Sequence, residues 1–390
     1  MRVALTAEQA ALRDELRAYF AELMAPEAGA DDGGGEWGGS RYRELTRRMG
    51  GDGWLGIGWP KEYGGQGRSA IEQFIFFDEA QRAGAPVPLL TINTVGPTIM
   101  HYGSEAQKAA FLPRILRGEI HFSIGYSEPD AGTDLAALRT SAVFDGDEWT
   151  IDGSKLWTSL VADADYVWLA ARTDPDAPRH RGISIFIVPT TAPGFRFSPI
   201  RTIGDGSTNA TFYEGVRVPP DAVVGEVNRG WELIVNQLNL ERVALCAPGG
   251  MARLFEEVTE WARETRLADG RRVIDQEWAR VNLARVRAGL EFLALINWKV
   301  AWSLTRGRIS PADASATKVF GTEFACQAYR LLLEVMGPAG ILKGGSPEAI
   351  LRGRVERAYR GTLILTFGGG TNEVQRDLIS AFGLDMAVRR

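Results

Sequence analysis

The strongest constraint on this 390-residue chain is a change of period in its apolar pattern. Residues 1 to about 120 are patterned as helices joined by loops. From about 121 the pattern alternates at the period of a strand, and after Asn228 the helical period returns. In the central block, "SAVFDGDEWTIDGSKLW" carries Asp145-Gly146 between two alternating runs, the signal of a hairpin. "DYVWLAA", "GISIFIV", "FRFSPI" and "TNATFYEGVRVP" follow as strands separated by turns, and the strands end near Val224. A strand block enclosed by two helical blocks implies an α+β fold in three parts: an N-terminal helical domain (1–120), a middle β domain (121–228) and a C-terminal helical domain (229–390). No internal repeat is present.

The flanks supply the helices. Residues 1–24 form an amphipathic helix, with Thr6 and Gln9 as a capping box and Leu12, Leu16, Tyr19 and Leu23 on one face. "GADDGGGEWGGS" (29–40) is a flexible, surface-type connection, and "GDGWLGIGWPKEYGGQG" (51–67) lacks the Gly-Lys-Ser/Thr of a phosphate loop and fits a tightly packed turn region. "GWELIVNQLNLERVALCA" is one long helix, bent or ended by Pro248 and the glycines after it. Residues 273–305 form a second, 311–336 a third with Pro311 in its first turn, and 346–366 a fourth that runs up to "LTFGGGTNEVQR". In that last stretch Thr371 and Asn372 start another helix.

Composition removes several functions. A net charge of −5 opposes nucleic acid as the main partner. No run of eighteen apolar residues appears, so no membrane span is expected. Cys246 and Cys326 lie too far apart in sequence for a metal knuckle, and two cysteines with no signal-peptide core suggest a cytoplasmic protein. His101, His121 and His180 have no metal-ligand spacing, and no metal site is expected. The chemistry must then rest on a carboxylate or a cofactor. In "IGYSEPDAGTDLAALRTSAVFDGDEWTIDGSKLWTS", hydroxyls and peptide groups beside Trp157 suit a flat, hydrogen-bonding ring. The same letters equally suit ordinary turns around a core tryptophan.

"YSEPDAGTD" and "GSKLWTS" resemble the flavin-binding signatures of the acyl-CoA dehydrogenases, and the helix–strand–helix order matches that family along the whole chain. "VRVPPDAVVG" and "TNEVQR" resemble further family positions, and "RRMGGDGWLGIGWPKEYGGQG", "TDLAALRT", "TNATFYEGVRVP", "ADASATKVFGTE" and "TFGGGTNEV" resemble most the bacterial members acting on steroid side-chain CoA thioesters. The resemblance implies a β-barrel-like middle domain, a C-terminal four-helix bundle and FAD as cofactor. Gly125, Tyr126 and Ser127 would line the pyrimidine side of the flavin, and Thr133 would reach the pyrophosphate or the CoA arm. Trp157 would pack on the isoalloxazine, with Thr158 and Ser159 near the ring nitrogen that takes the hydride. Thr371 and Glu373 would contact the adenine end.

Many members carry their catalytic glutamate where this chain has Gly369. A few place the base on a C-terminal helix, in a Glu-Arg pair, which matches Glu241 and Arg242 in "LNLERVAL". Glu241 is then the base, flanked by Leu238, Leu240, Val243 and Leu245. Gly369 would bind the thioester carbonyl through its N–H and leave room for a bulky or α-branched acyl group. Two family elements are altered: the arm at "RETRLADGRRVID" (263–275), and "EVMGPAG", with Glu334 and Pro338 at changed positions. Both serve a flavin half-site shared between subunits. A homo-oligomer with altered contacts and a heterotetramer with a related chain both follow, with an electron-transfer flavoprotein as acceptor. Other reactions on this fold are an oxidase, a flavin monooxygenase, an acyl-carrier-protein dehydrogenase, or a non-catalytic subunit.

Overall fold

The protein's structure, a computed structural model, describes residues 4–25, 38–244, 246–307 and 310–386; the side chains of 207 and 238–244 are outside the described residues. The N-terminal part holds α1 (Ala7–Met24), α2 (Gly39–Gly51), α3 (Ala70–Ala83), α4 (Gly96–Tyr102) and α5 (Glu105–Leu116). The capping box at Thr6 and Gln9 starts α1 as expected. Its buried face is Leu12, Leu16, Phe20 and Leu23, so Phe20 takes the place expected of Tyr19. Tyr19 lies at the edge, with its ring over Trp54 and its hydroxyl donating to Asp52 Oδ2 at 2.8 Å. Residues 51–67 are a packed turn region: Trp54, Leu55, Ile57 and Trp59 are buried, and the Trp59 indole donates to the Ile92 carbonyl at 2.8 Å. Of the glycine-rich connection, 29–37 lies outside the described residues, and Gly39 and Ser40 already belong to α2.

The middle part is one eight-stranded sheet: β1 (Phe122–Gly125), β2 (Ser141–Phe144), β3 (Trp149–Lys155), β4 (Tyr166–Arg172), β5 (Ile183–Pro189), β6 (Phe195–Arg201), β7 (Ser207–Val218) and β8 (Val223–Val224). Its order is β6-β7-β3-β2-β4-β5-β8, and β1 runs parallel to β4. The expected hairpin joins β2 to β3. Asp145 Oδ1 accepts from the N–H groups of Asp147 and Glu148, and Gly146 takes a φ of +108°. β4 and β5 are buried on both faces. Val167, Leu169, Ala171, Phe186 and Val188 enter the core of the sheet. The alternate residues Trp168, Ala170, Ile185 and Ile187 join the core of the N-terminal helices. One pair of strands thus welds the first two parts together.

The C-terminal part holds α6 (Gly230–Ala244), α7 (Gly249–Glu264), α8 (Glu277–Thr305), α9 (Pro311–Met336), α10 (Arg354–Thr362) and α11 (Asn372–Gly383). Its core joins α7, α8 and α9 through Val258, Val286, Leu293, Ala328 and Leu332. The helix expected over 346–366 is shorter. Leu351, Arg352 and Gly353 are all left-handed, and only Arg354–Thr362 is α-helical. The chain doubles back there so tightly that a Cβ at Gly353 would lie 2.4 Å from the Gly344 nitrogen. No described helix is long and apolar enough to cross a membrane.

Candidate active site

β1 delivers the chain to a loop of three residues that the sheet and α6 hold on several sides. At Gly125 the backbone passes so near β4 that a Cβ would meet the Val167 side chain at 2.9 Å. Tyr126 is buried. Its hydroxyl accepts the Trp168 indole N–H at 3.1 Å and donates to Gln237 Oε1 on α6. The Ser127 carbonyl accepts the Leu156 N–H at 2.8 Å, which joins the two quoted motifs. Behind them sits an ion pair the sequence reading missed. Lys155 Nζ reaches Glu128 Oε1 at 2.8 Å and the Tyr126 carbonyl at 3.1 Å. The Glu128 carboxylate also accepts the Arg139 and Thr140 N–H groups at 2.7 and 2.8 Å.

Burial draws the Lys155 ammonium down to about 8, against the opposing pull of Glu128. Burial also works to raise Glu128, but the Lys155 charge and the hydrogen bonds outweigh it and leave the carboxyl below its ordinary range. Both groups are therefore charged at pH 7.

Past Lys155 the backbone turns sharply. Trp157 and Leu160 have φ near +64° and +63°, conformations that cost a non-glycine residue about 1–3 kcal/mol each. β7 holds the turn in place. Thr158 N–H donates to the Asn209 carbonyl at 2.9 Å, and Asn209 Nδ2 donates back to the Thr158 carbonyl at 3.1 Å. The Thr158 and Thr211 hydroxyls meet at 3.2 Å, as do those of Ser159 and Thr208. This clamp leaves the Trp157 indole outside the core, 56% exposed. The core-tryptophan reading is thereby set aside. Ser127 is half-buried, Ser159 and Thr133 are exposed, and Thr158 is buried. An open aromatic face flanked by hydroxyls and peptide edges fits a flat heterocycle.

α6 and the glycine stretch form the second half of the site. Gln237 ties α6 to the Tyr126 loop. At the other end, Asn297 Nδ2 donates to the Cys246 carbonyl at 3.0 Å, and Gly321 of α9 lies where a Cβ would be 2.7 Å from the Cys246 sulfur. Glu241 and Arg242 fall on α6 between these anchors, with their side chains outside the described residues. The triple glycine follows a short 3-10 turn (Leu363–Thr366), and Gly369 and Gly370 both take left-handed φ values, +66° and +90°. Thr371 caps α11 by accepting the Val374 N–H at 3.3 Å, and Glu373 is exposed in its first turn. Among the described residues no hydrogen bond links Thr371 or Glu373 to the Tyr126–Ser159 group.

The loop's anchor, also missed in sequence, is Lys318 of α9, which donates to the carbonyls of Gly370 and Thr366 and to Asn372 Oδ1. Its signal was faint: a lysine on the stripe of Ala314, Gly321 and Ala325, all buried. No group of histidines, cysteines and carboxylates able to hold a metal occurs among the described residues.

A helix–sheet–helix chain with an open indole between hydroxyls has the build of a flavoprotein oxidoreductase. The comparisons narrow this to one family. Its N-terminal, middle and C-terminal domain models match residues 6–119, 123–214 and 228–384. The chain is 59% identical to the acyl-CoA dehydrogenase FadE26 of Mycobacterium tuberculosis over the full length of both. It overlays one chain of the ChsE4–ChsE5 complex from Mycobacterium tuberculosis with a TM-score of 0.93 at 58% identity, covering all of both chains. For the steroid ACAD Tcur3481–Tcur3483 the values are 0.94 and 52%, again with full coverage. The chain belongs to the acyl-CoA dehydrogenase family.

Proposed function

We propose that this chain performs FAD-dependent α,β-dehydrogenation of a bulky or α-branched acyl-CoA thioester of the steroid side-chain kind, with Glu241 as the base. The observation that carries the proposal is the course of α6. It is tied through Gln237 to Tyr126, beside the open indole, and through Cys246 to α9, whose Lys318 holds the glycine loop. Glu241 lies on the same helix between these ties. The loop itself offers only glycine where other members of the family carry an acid. A steroid ACAD among the close structural neighbours supports the choice of substrate.

In this reading Gly125, Tyr126 and Ser127 line the pyrimidine edge of the flavin, Trp157 covers its ring, and Thr158 and Ser159 stand near the hydride-accepting nitrogen. Thr133 reaches the pyrophosphate or the CoA arm, and Thr371 and Glu373 serve the adenine end. When bound, FAD supplies the acceptor for a hydride from the β-carbon. Glu241 takes the α-proton, with Arg242 next to it in the chain. The electron pair left by that proton moves toward the thioester oxygen, where the Gly369 N–H donates to the developing charge. With no side chain at 369, the space beside the α-carbon stays open to branching.

We further propose a related acyl-CoA dehydrogenase chain as partner and an electron-transfer flavoprotein as acceptor. Both of the neighbours described above are named as pairs of chains. On α8, Trp278, Val281, Phe292, Leu295 and Trp302 are exposed at successive spacings of three, eleven, three and seven, all near whole numbers of helical turns, so they form one apolar stripe along the helix. Such a stripe suits a second helical surface.

Anaerobic bleaching of the flavin tests the reaction, with straight-chain, α-methyl-branched and steroid-acid CoA thioesters. Wild type should bleach with the branched or steroid thioesters. Glu241→Gln should retain the flavin but lose about 10²–10⁴-fold in rate. A Glu241→Gln protein as fast as wild type would remove Glu241 as base. A yellow protein bleached by no thioester would point to a carrier-protein substrate or to a monooxygenase.

A further inference from the structure

Lys318 is fully buried, and burying an ammonium is costly unless strong acceptors surround it. Three oxygens of one short stretch serve it: the Thr366 carbonyl at 3.3 Å, the Gly370 carbonyl at 2.7 Å and Asn372 Oδ1 at 2.7 Å. Asn372 is itself fixed. Its Nδ2 donates to Thr322 Oγ1 and Glu323 Oε1, both at 3.1 Å and both on α9. The acceptors bracket Gly369 on both sides. The segment they bracket has little packing of its own: Phe367 and Gly370 are exposed, and Gly368 and Gly369 are half-buried. Glycines in left-handed conformations carry the largest backbone entropy to be restrained. A hydrogen-bond donor that must meet a developing charge needs placement to within about 0.5 Å. Here that placement falls to a charge on the neighbouring helix.

We propose that Lys318 is the positioning residue that fixes the Gly369 amide for the negative charge of the thioester enolate. The inference rests on the reading of Gly369 as the carbonyl-binding donor. It assigns to α9 a share in the chemistry that none of its side chains performs by contact. The Lys318 ammonium also acts on the Cys246 thiol just after α6: burial pushes that thiol up to about 12, and Lys318 pulls the other way. The field of Lys318 thus extends toward the end of the helix bearing Glu241.

The test uses the FAD-loaded protein with Lys318→Met and Asn372→Leu. Two ligands are titrated by flavin absorbance: a 3-oxoacyl-CoA, which ionises at its α-carbon, and the matching saturated thioester. For Lys318→Met the expected loss is about 10²-fold in affinity for the ionised ligand and under about 3-fold for the saturated one. kcat should fall by about 10²–10³-fold with KM little changed. In the cofactor-free chain, amide hydrogen exchange of residues 366–372 should quicken in both variants. A Lys318→Met protein that folds, binds FAD and keeps its preference for the ionised ligand overturns the proposal, and so does an equal loss for both ligands. Should Lys318→Met fail to fold, an unchanged preference in Asn372→Leu overturns it instead. Glu241→Gln separates the two readings. Full activity there removes the base, while the affinity ratio in Lys318→Met still decides the role of the lysine.

Discussion

The two halves of the candidate site are each held by a lysine with no exposed surface, and the two lysines use different partners. Lys155 meets a carboxylate, Glu128, that is itself nearly enclosed. Lys318 reaches two main-chain carbonyls and one amide oxygen. In the first pair the charges offset each other, and the result is a rivet between two loops of the sheet. In the second, peptide dipoles gather round the ammonium and the loop is shaped by it. A rivet can be as strong as its geometry allows without touching the reaction. A lysine that holds the loop's own peptides sets where that loop lies.

This contrast can be broken by experiment. The largest expected effect is Lys155→Met, which leaves the Glu128 carboxylate buried without its ammonium. A loss of about 3–5 kcal/mol in stability, read by denaturant unfolding, should accompany weakened flavin binding. The double variant Lys155→Met, Glu128→Gln should recover part of that loss, because no unpaired charge remains. If Lys155→Met unfolded like wild type yet lost its preference for the ionised ligand, the two lysines would have exchanged roles.

Next in size is a pH effect on the same half. His121 precedes β1, with Nδ1 at 3.2 Å from the Tyr42 hydroxyl; burial first, and the Arg43 charge after it, lower its pKa from 6.5 to about 4. The unfolded chain therefore takes up the proton before the folded one does. Stability should fall by on the order of 2–3 kcal/mol as pH drops from about 6.5 to about 4, and the variant His121→Gln should lack that slope. Glu128 has the same sign over a lower window. Its contribution is complete above the ordinary carboxylate range and is lost as pH falls through its depressed value.

The smallest effect belongs to the other half. Thr371→Ala removes the cap of α11 and should cost about 1 kcal/mol in thermal unfolding. With FAD supplied in excess, its kcat should fall far less than that of Lys318→Met if Lys318, rather than the cap, sets the loop.

How much of this was written in the sequence differs between the halves for a physical reason. The strand block, the Asp145-Gly146 hairpin and the Thr6 cap were legible because each depends on letters close together. Glu128 and Lys155 are both visible in the two motifs, but their pairing across 27 positions is not. Lys318 was harder still. Its acceptors lie 48 to 54 positions away, and main-chain oxygens leave no letter to read. The turn at Leu351 and Arg352 escaped because a helical pattern runs through it and neither residue is a glycine. The exposure of Trp157 was one of two readings its letters allowed, and its left-handed backbone escaped because that conformation goes against the residue's own preference.

The stripe on α8 has a practical consequence. A helix of 29 residues is about 43 Å long, and most of that length presents indole, phenyl and aliphatic groups to water. Produced by itself, such a chain invites self-association along this seam. Yield in the soluble fraction, with and without a companion chain made in the same cell, would then report on coverage of the seam before any substrate is added.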